Sequence, residues 1–248
     1  MQKIDYGVEV HINQTLYAGR CLLQILKTPV VSYQYQQQQA KFLLAIDQQQ
    51  WPQAQLLHGT NCPCFNQEFQ NNEIKQSKIR LATVAMLCDK NDYFLITRRH
   101  CQMKTFPKAW VFPGGMVEKQ QHLESECLRE VFEETGINTQ LIENQMELKV
   151  LYESVYPTKL QIGQYPQKQT LCIFYEIKLN ESYKNIQVKI QETEVDDYKW
   201  IQKNQLLEIM NESLPDEQFK EMSGIYPNQY GSGIGEGHIK AFVHSYKK

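Results

Sequence analysis

Glu126, Glu130, Glu133 and Glu134 lie close together in the run Pro113–Ile137, PGGMVEKQQHLESECLREVFEETGI. In a helix, residues three and four apart share a face, so the four carboxylates would form one stripe. Like charges so placed destabilise a helix by roughly 0.2–0.5 kcal/mol per pair, and something must offset that. A hard divalent cation such as Mg²⁺ does so, because it takes oxygen ligands: one or two carboxylates, waters and substrate phosphates. Arg129 reaches Glu133 one turn on or Glu126 one turn back, and so decides which acid is left to face the cation. Gly114-Gly115 comes just before; without side chains, such a turn lets main-chain oxygens or amides approach a ligand closely.

The elements that must position these groups are legible in the periodicity. Residues 122–134 place Leu123, Cys127, Leu128 and Val131 on one side and acids on the other, which predicts a helix, with Gly136 as its stop. Leu81–Cys88 and Tyr93–Thr97, split by Asp89-Lys90-Asn91-Asp92, predict a strand, a turn and a strand. Trp110–Phe112 runs into the Pro113-Gly114-Gly115 turn. Leu148–Val155, Thr170–Leu179, Ile186–Ile190 and Tyr198–Ile201 read as strands, and Asn204–Asn211 as a helix. A helix among strands predicts an α+β or α/β sandwich.

Ahead of this core, Thr15–Lys27 has near-helical apolar spacing. The Gln-rich stretch Gln34–Gln39 reads as a surface loop, Phe42–Ile46 is an apolar run, and Gly59–Lys78 is a polar linker. The expected organisation is an N-terminal region with linker over 1–78, a catalytic-type domain over 79–221 and a C-terminal extension over 222–248.

The chain has 248 residues, 42% hydrophobic and 22% charged, with a formal net charge of −2. That is the balance of an ordinary globular protein with no general affinity for nucleic acid, although Arg98-Arg99-His100 is locally basic. No run approaches the roughly 20 apolar residues that span a bilayer. The N-terminus does not read as a signal peptide. Seven cysteines at irregular spacing predict a reducing compartment, cytoplasmic or mitochondrial. Cys88 and Cys172 sit in apolar runs. Cys62-Pro63-Cys64 invites a metal reading, but no second Cys/His pair of zinc-site spacing follows, so these read as ordinary thiols in a loop. His58, His100, His122, His238 and His244 lack the paired spacing of a His metal site and read as surface or packing residues.

Acid-rich helices are usually solvated faces, so REVFEE alone says little. Its combination with PGG is far more specific: thirteen residues separate Gly115 from Arg129. The segment resembles the Nudix box, whose pattern is G, five residues, E, seven residues, then R-E-U-x-E-E-x-G-U with U aliphatic. Gly115, Arg129, Glu130, Val131, Glu133, Glu134, Gly136 and Ile137 match. The resemblance implies the Nudix fold, a mixed sheet sandwiched between helices. It implies Mg²⁺ or Mn²⁺ as cofactor, and hydrolysis of a nucleoside diphosphate linked to another moiety. It further implies that Glu130, Glu133, Glu134 and the Gly114 carbonyl are metal ligands, and that Arg129 orients a glutamate. One position departs: Gln121 stands where the family has its first glutamate. The amide keeps hydrogen-bonding capacity but loses the charge, which implies weakened activity, with Glu118 the nearby acid that could stand in. Leu151–Pro157 (LYESVYP), Leu171–Ile177 and Glu194…Trp200 are similar to the branch called nucleoside-diphosphate-linked moiety X motif 17.

Glu130, Glu192 and Glu194 are the candidate bases for water attack on phosphorus. Arg98 and Arg99, at a strand end, are candidates to bind phosphate. Trp110, Phe112, Tyr156 and Tyr165 could stack a base. The expected partner is a nucleotide-type small molecule, with protein partners through 1–78 and 222–248 as a further reading. A competing expectation is a Nudix-fold protein of weak or no activity, serving as an accessory subunit of a large assembly such as a mitochondrial one. It rests on Gln121 and on the two terminal regions.

Overall fold

The computed structural model describes residues 7–10, 21–37, 41–46, 48–60, 62, 79–118, 122–138, 142–158, 167–212 and 217–247; for 7–10, 24–25 and 142–145 it describes the backbone alone. Residues 15–20 of the first helical run, Gln38 and Gln39, most of the linker including Cys64, Gln121 and Tyr165 lie outside these.

The strand over Leu81–Cys88 positions everything else. Its apolar residues are continuous, as in a strand covered on both faces. In chain order the described elements begin with β1 (Gly7–Val10), α1 (Leu22–Leu26), β2 (Val30–Gln36), β3 (Lys41–Ala45) and β4 (Gln53–His58). The central strand is β5 (Arg80–Cys88), followed by β6 (Tyr93–Arg99), β7 (Ala109–Val111), β8 (Gly114–Met116) and α2 (Leu123–Thr135). Then come β9 (Ile142–Tyr156), β10 (Lys168–Leu179), β11 (Val195–Gln202), α3 (Lys203–Met210), β12 (Gly233–Ile234) and α4 (Glu236–Tyr246).

One mixed sheet runs β1-β3-β2-β4-β9-β10-β5-β6-β7-β12, with β11 on β6 and β8 on β5. β10 pairs β5 in parallel from Thr170↔Arg80 to Lys178↔Cys88. The other edge of β5 is divided. β6 meets it at Cys88↔Phe94, while β8 takes Ala82, Thr83 and Val84. The chain between those contacts carries Pro113, whose carbonyl accepts from Ala85 N at 2.8 Å.

Alternate residues of β5 face opposite layers. Leu81, Ala85 and Leu87 pack in one core with Leu123, Cys127 and Val131 of α2. Val84, Met86 and Cys88 pack in a second core with Leu206 and Ile209 of α3 and Ile239, Ala241 and Phe242 of α4. Helices therefore cover both faces of a mixed sheet, the α/β/α sandwich of α+β class that the resemblance implies. The first core also takes in Leu22, Phe42, Leu44 and Leu56. The N-terminal strands extend the same sheet through β4, which pairs β9 in parallel from Gln55↔Val150 to His58↔Glu153.

Two expectations are corrected. Ile186–Ile190 is not a strand; within it and just past it, Lys189 N and Gln191 N donate to the carbonyls of Thr135 and Glu134, at 2.8 and 3.1 Å. Those carbonyls are left over at the end of α2, and capping them commits this segment's amides away from any ladder. Gln34–Gln36 belong to β2 rather than to a loop, paired with Leu43, Phe42 and Lys41 of β3. Among the described residues no helix is long and apolar enough to cross a membrane.

Candidate active site

α2 presents its acids because its opposite face is anchored. Leu123, Cys127 and Val131, four apart, are all at most 3% exposed. Gly136 ends the helix in left-handed backbone, φ 67°, with its N–H donating to Phe132 O. On the acidic face Arg129 bridges more than sequence spacing suggests. It reaches Glu126 at 3.0 Å and Glu133 at 2.6 Å, and pairs Glu130 as well. Surrounded by three carboxylates, its guanidinium is held well above its ordinary pKa despite burial.

One guanidinium does not satisfy four acids. Glu126 is fully buried, and its Oε1 has no hydrogen-bond partner among the described residues. Burial raises Glu130, with Arg129 opposing the shift. Glu134 is 5% exposed. Burial pushes it up to about 8, the Glu130 charge adding to the shift while the Gly114 N–H and Arg99 oppose it. Gly114 N donates to Glu134 Oε2 at 3.2 Å.

The glycine turn is shaped around these acids. A Cβ on Gly115 would lie 2.4 Å from the carboxyl carbon of Glu130. β8 thus lies directly against the acid stripe, where only a residue without a side chain fits. The donor set is oxygen-only and short of positive charge, with Glu130 and Glu134 buried and Glu133 exposed, which fits a hard divalent cation. Glu130, Glu133 and Glu134 all line one cavity, although their oxygens do not all lie within 4.8 Å of one another.

That cavity holds about 490 Å³, the size range of small-ligand sites. Arg99 lines it; Arg98 does not. Arg98 is tied to Asp196 and Glu221 and lies over the Trp110 ring. Arg99 donates to Thr105 O at 3.2 Å and has no ion pair among the described residues. Burial lowers its pKa, while Glu134, Glu194 and Tyr226 favour its charge, so it stands between the acids and an aromatic wall. Glu194 and Glu118 also line the cavity, and the exposed Glu192 does not.

The aromatic wall differs from the sequence-based candidates. Trp110 is wholly buried in the second core. Tyr156 does line the cavity, with Phe106 edge-on to it at 5.4 Å and to Tyr226 at 5.9 Å. Neither Phe106 nor Tyr226 carries a motif that would single it out. The C-terminal segment adds Glu236, whose Oε1 accepts from Thr60 N at 2.6 Å, and His238. His238 Nδ1 accepts from Phe112 N at 3.1 Å, which fixes the neutral tautomer.

A family model described as the NUDIX domain matches residues 78–222, more than half of the chain. The chain belongs to that family. Among curated proteins it is 34% identical over 113 residues to the m7GpppN-mRNA hydrolase NUDT17 of Danio rerio, covering 46% of this chain and 37% of that protein. It is 30% identical over 131 residues to the protein of the same name from Xenopus laevis, covering 52% and 43%. The match thus spans less than half the length of these relatives. Among solved structures, the NUDIX domain of Shewanella oneidensis NrtR, in complex with ADP ribose, aligns at a TM-score of 0.45 and 16% identity, covering 71% of this chain and 91% of that one.

Proposed function

We propose that this chain is a metal-dependent pyrophosphohydrolase acting on a nucleoside diphosphate linked to another moiety, with the m7Gppp cap of an RNA as the first substrate to test. The observation that carries this reading is the shared lining of one open cavity: the box acids, the half-buried cation Arg99 and an aromatic wall meet there. An accessory subunit without chemistry would be expected to fill such a cleft with side chains.

Glu130, Glu133 and Glu134, with the Gly114 carbonyl, would hold Mg²⁺ or Mn²⁺. When bound, the ion supplies Lewis acidity that offsets the negative charge of the diphosphate. Arg129 holds Glu126, Glu130 and Glu133 in one array, so that the acids are placed before substrate arrives. Arg99, a desolvated cation with no carboxylate in contact, binds a phosphate oxygen and stabilises charge on the leaving phosphate. The edges of Phe106, Tyr156 and Tyr226 receive the base. Water adds to one phosphorus and its proton passes to the Glu194 carboxylate. The bond from that phosphorus to the bridging oxygen breaks, and the second phosphate departs. Of the candidate bases, Glu194 is preferred because it lines the cavity and has no ion pair among the described residues, whereas Glu130 is paired to Arg129.

The test is a Mg²⁺-dependent phosphate-release screen over m7GpppN-capped RNA, nucleotide sugars, dinucleoside polyphosphates, NADH, coenzyme A and ADP-ribose. Glu134→Gln should lower kcat at least about a hundredfold, the equivalent of several kcal/mol of lost charge stabilisation. Full turnover in that variant, or none by the wild type on any of these substrates, overturns the reading.

A further inference from the structure

The box acids are oxygen donors only, yet a second cluster in the same molecule has softer chemistry. One ligand atom each from Cys21, His58 and Cys62 all lie within 4.8 Å of one another. Cys21 Sγ is 3.6 Å from His58 Nδ1. The fold builds this meeting from three places. Cys21 is the residue before α1, and the N–H that follows it, Leu22 N, donates to Glu153 Oε2 at 2.9 Å. His58 ends β4, in register with Glu153 of β9. Cys62 is turned back toward the strand end by its N–H, which donates to Gly59 O at 3.1 Å. Cys21 is fully buried and Cys62 is 8% exposed, while His58 is half-buried.

We propose that Cys21, His58 and Cys62 form a zinc site that fastens the N-terminal segment to the Nudix sheet, separate from the cation site of the box. Two thiolates and an imidazole are the donor set that Zn²⁺ prefers and that Mg²⁺ does not. Zn–S bonds of about 2.3 Å and Zn–N bonds of about 2.0–2.1 Å, opened to the tetrahedral angle, set an S···N edge of about 3.6 Å. Cys21 and His58 already stand at that separation. Glu153 anchors the backbone beside Cys21 rather than joining the set. Its Oε2 accepts from Leu22 N at 2.9 Å and its Oε1 accepts from Gln169 Nε2 at 2.6 Å, so the carboxylate is held from both sides; the Cys21 thiol also donates to Oε2, at 3.3 Å, and that proton leaves when the sulfur binds metal. Among the described residues, Val155 and Leu23 are the apolar side chains grouped with the two thiols. A metal here would add a cross-link beside Leu22, which is already packed in the main core. Cys64 lies outside the described residues and the proposal does not use it. Sequence spacing gave no sign of the site because Cys21 lies far upstream and the folded β4–β9 pairing brings His58 to it.

The site is tested on the full chain, reduced and purified without added metal, by elemental analysis and by Co²⁺ titration. About one zinc per chain is expected, together with thiolate-to-Co²⁺ charge-transfer absorption and tetrahedral d–d bands in the wild type. Cys21→Ser with Cys62→Ser should remove both signals. His58→Ala, at a half-exposed position, should keep the fold by circular dichroism while weakening zinc retention at least tenfold and shifting the d–d bands. Glu134→Gln should leave zinc content unchanged. Less than a tenth of an equivalent of zinc with no cobalt–thiolate band overturns the proposal. So does zinc retained in the double cysteine variant, or a Cys21–Cys62 disulfide found in place of metal.

Discussion

The contact between Gly115 and Glu130 is a tight constraint made by a side chain rather than by backbone, and it separates catalysis from stability. A methyl group on Gly115 would collide with the end of a flexible carboxylate rather than with backbone. The fold can therefore yield at small cost while the carboxylate cannot stay where it is. Gly115→Ala should cost less than about 1 kcal/mol of stability and lower kcat more than about tenfold, as a displaced ligand does. Thermal melts beside turnover read both, and unchanged kcat would detach Glu130 from the chemistry. The stripe itself was legible because it is local: REVFEE and PGG lie within one loop and helix, and helical spacing alone predicts that the acids share a face. The pairing of Arg129 was foreseen only in part. Spacing suggested Glu133 or Glu126, and the folded helix gives it both, with Glu130 besides. The aromatic wall was legible only at Tyr156; Phe106 and Tyr226 come from separated segments with no periodicity in common with it.

At the scale of elements, α4 is the clearest addition to the sequence reading. It lies beyond the span of the family match, yet it completes the second core and carries His238 into the cavity wall. Phe242 is fully buried against Phe94, Phe112 and Tyr246, with ring centroids 4.9, 5.6 and 4.7 Å away. Phe242→Ala should destabilise the whole domain by roughly 3–5 kcal/mol, measured by denaturant unfolding; a loss below about 1 kcal/mol would mean that α4 is only loosely attached. His238 makes the same attachment sensitive to acid. Burial, with Arg99 nearby, lowers its pKa to about 3. The unfolded chain binds a proton near pH 6.5 and the folded one does not. Its contribution is therefore complete above about pH 6.5 and is lost as pH falls toward 3, at about 1.4 kcal/mol per unit. His238→Asn keeps an acceptor for Phe112 N but cannot take the proton. Its stability should fall less steeply than the wild type between pH 7 and 5, and parallel curves would sink the argument. The segment after β10 went unread for a related reason. Ile186–Ile190 has the composition of a strand, but the amides of Lys189 and Gln191 are committed to the end of α2, and composition cannot reveal a tertiary cap.

Over the whole molecule, the N-terminal region and the Nudix core share one sheet and one interior. Leu22, Phe42, Leu44 and Leu56 pack in the same core as Leu151, Ile173 and the buried face of α2. β4 covers the edge of β9 from Val150 to Glu153, and Thr60 N meets the carboxylate of Glu236 in α4. The sequence suggested a division near residue 78 because the polar stretch before Ile79 has the composition of a linker. Composition reports what a segment is made of and not which edge it pairs, so a strand such as β4, rich in glutamine, escaped notice. A chain beginning at Ile79 would keep every box residue and lose the partner of β9. It would expose a strand edge flanked by apolar residues, a template for pairing with further copies. Residues 79–248 expressed alone should elute as aggregates in size exclusion and lose the single cooperative melt of the full chain. Adding residues 1–78 back as a separate polypeptide should restore a discrete species, because the missing strand can pair in trans. A monodisperse 79–248 fragment melting within about 3 °C of the full chain, where roughly 1 kcal/mol is worth 2–4 °C at this size, would mean instead that the N-terminal strands decorate an already complete domain.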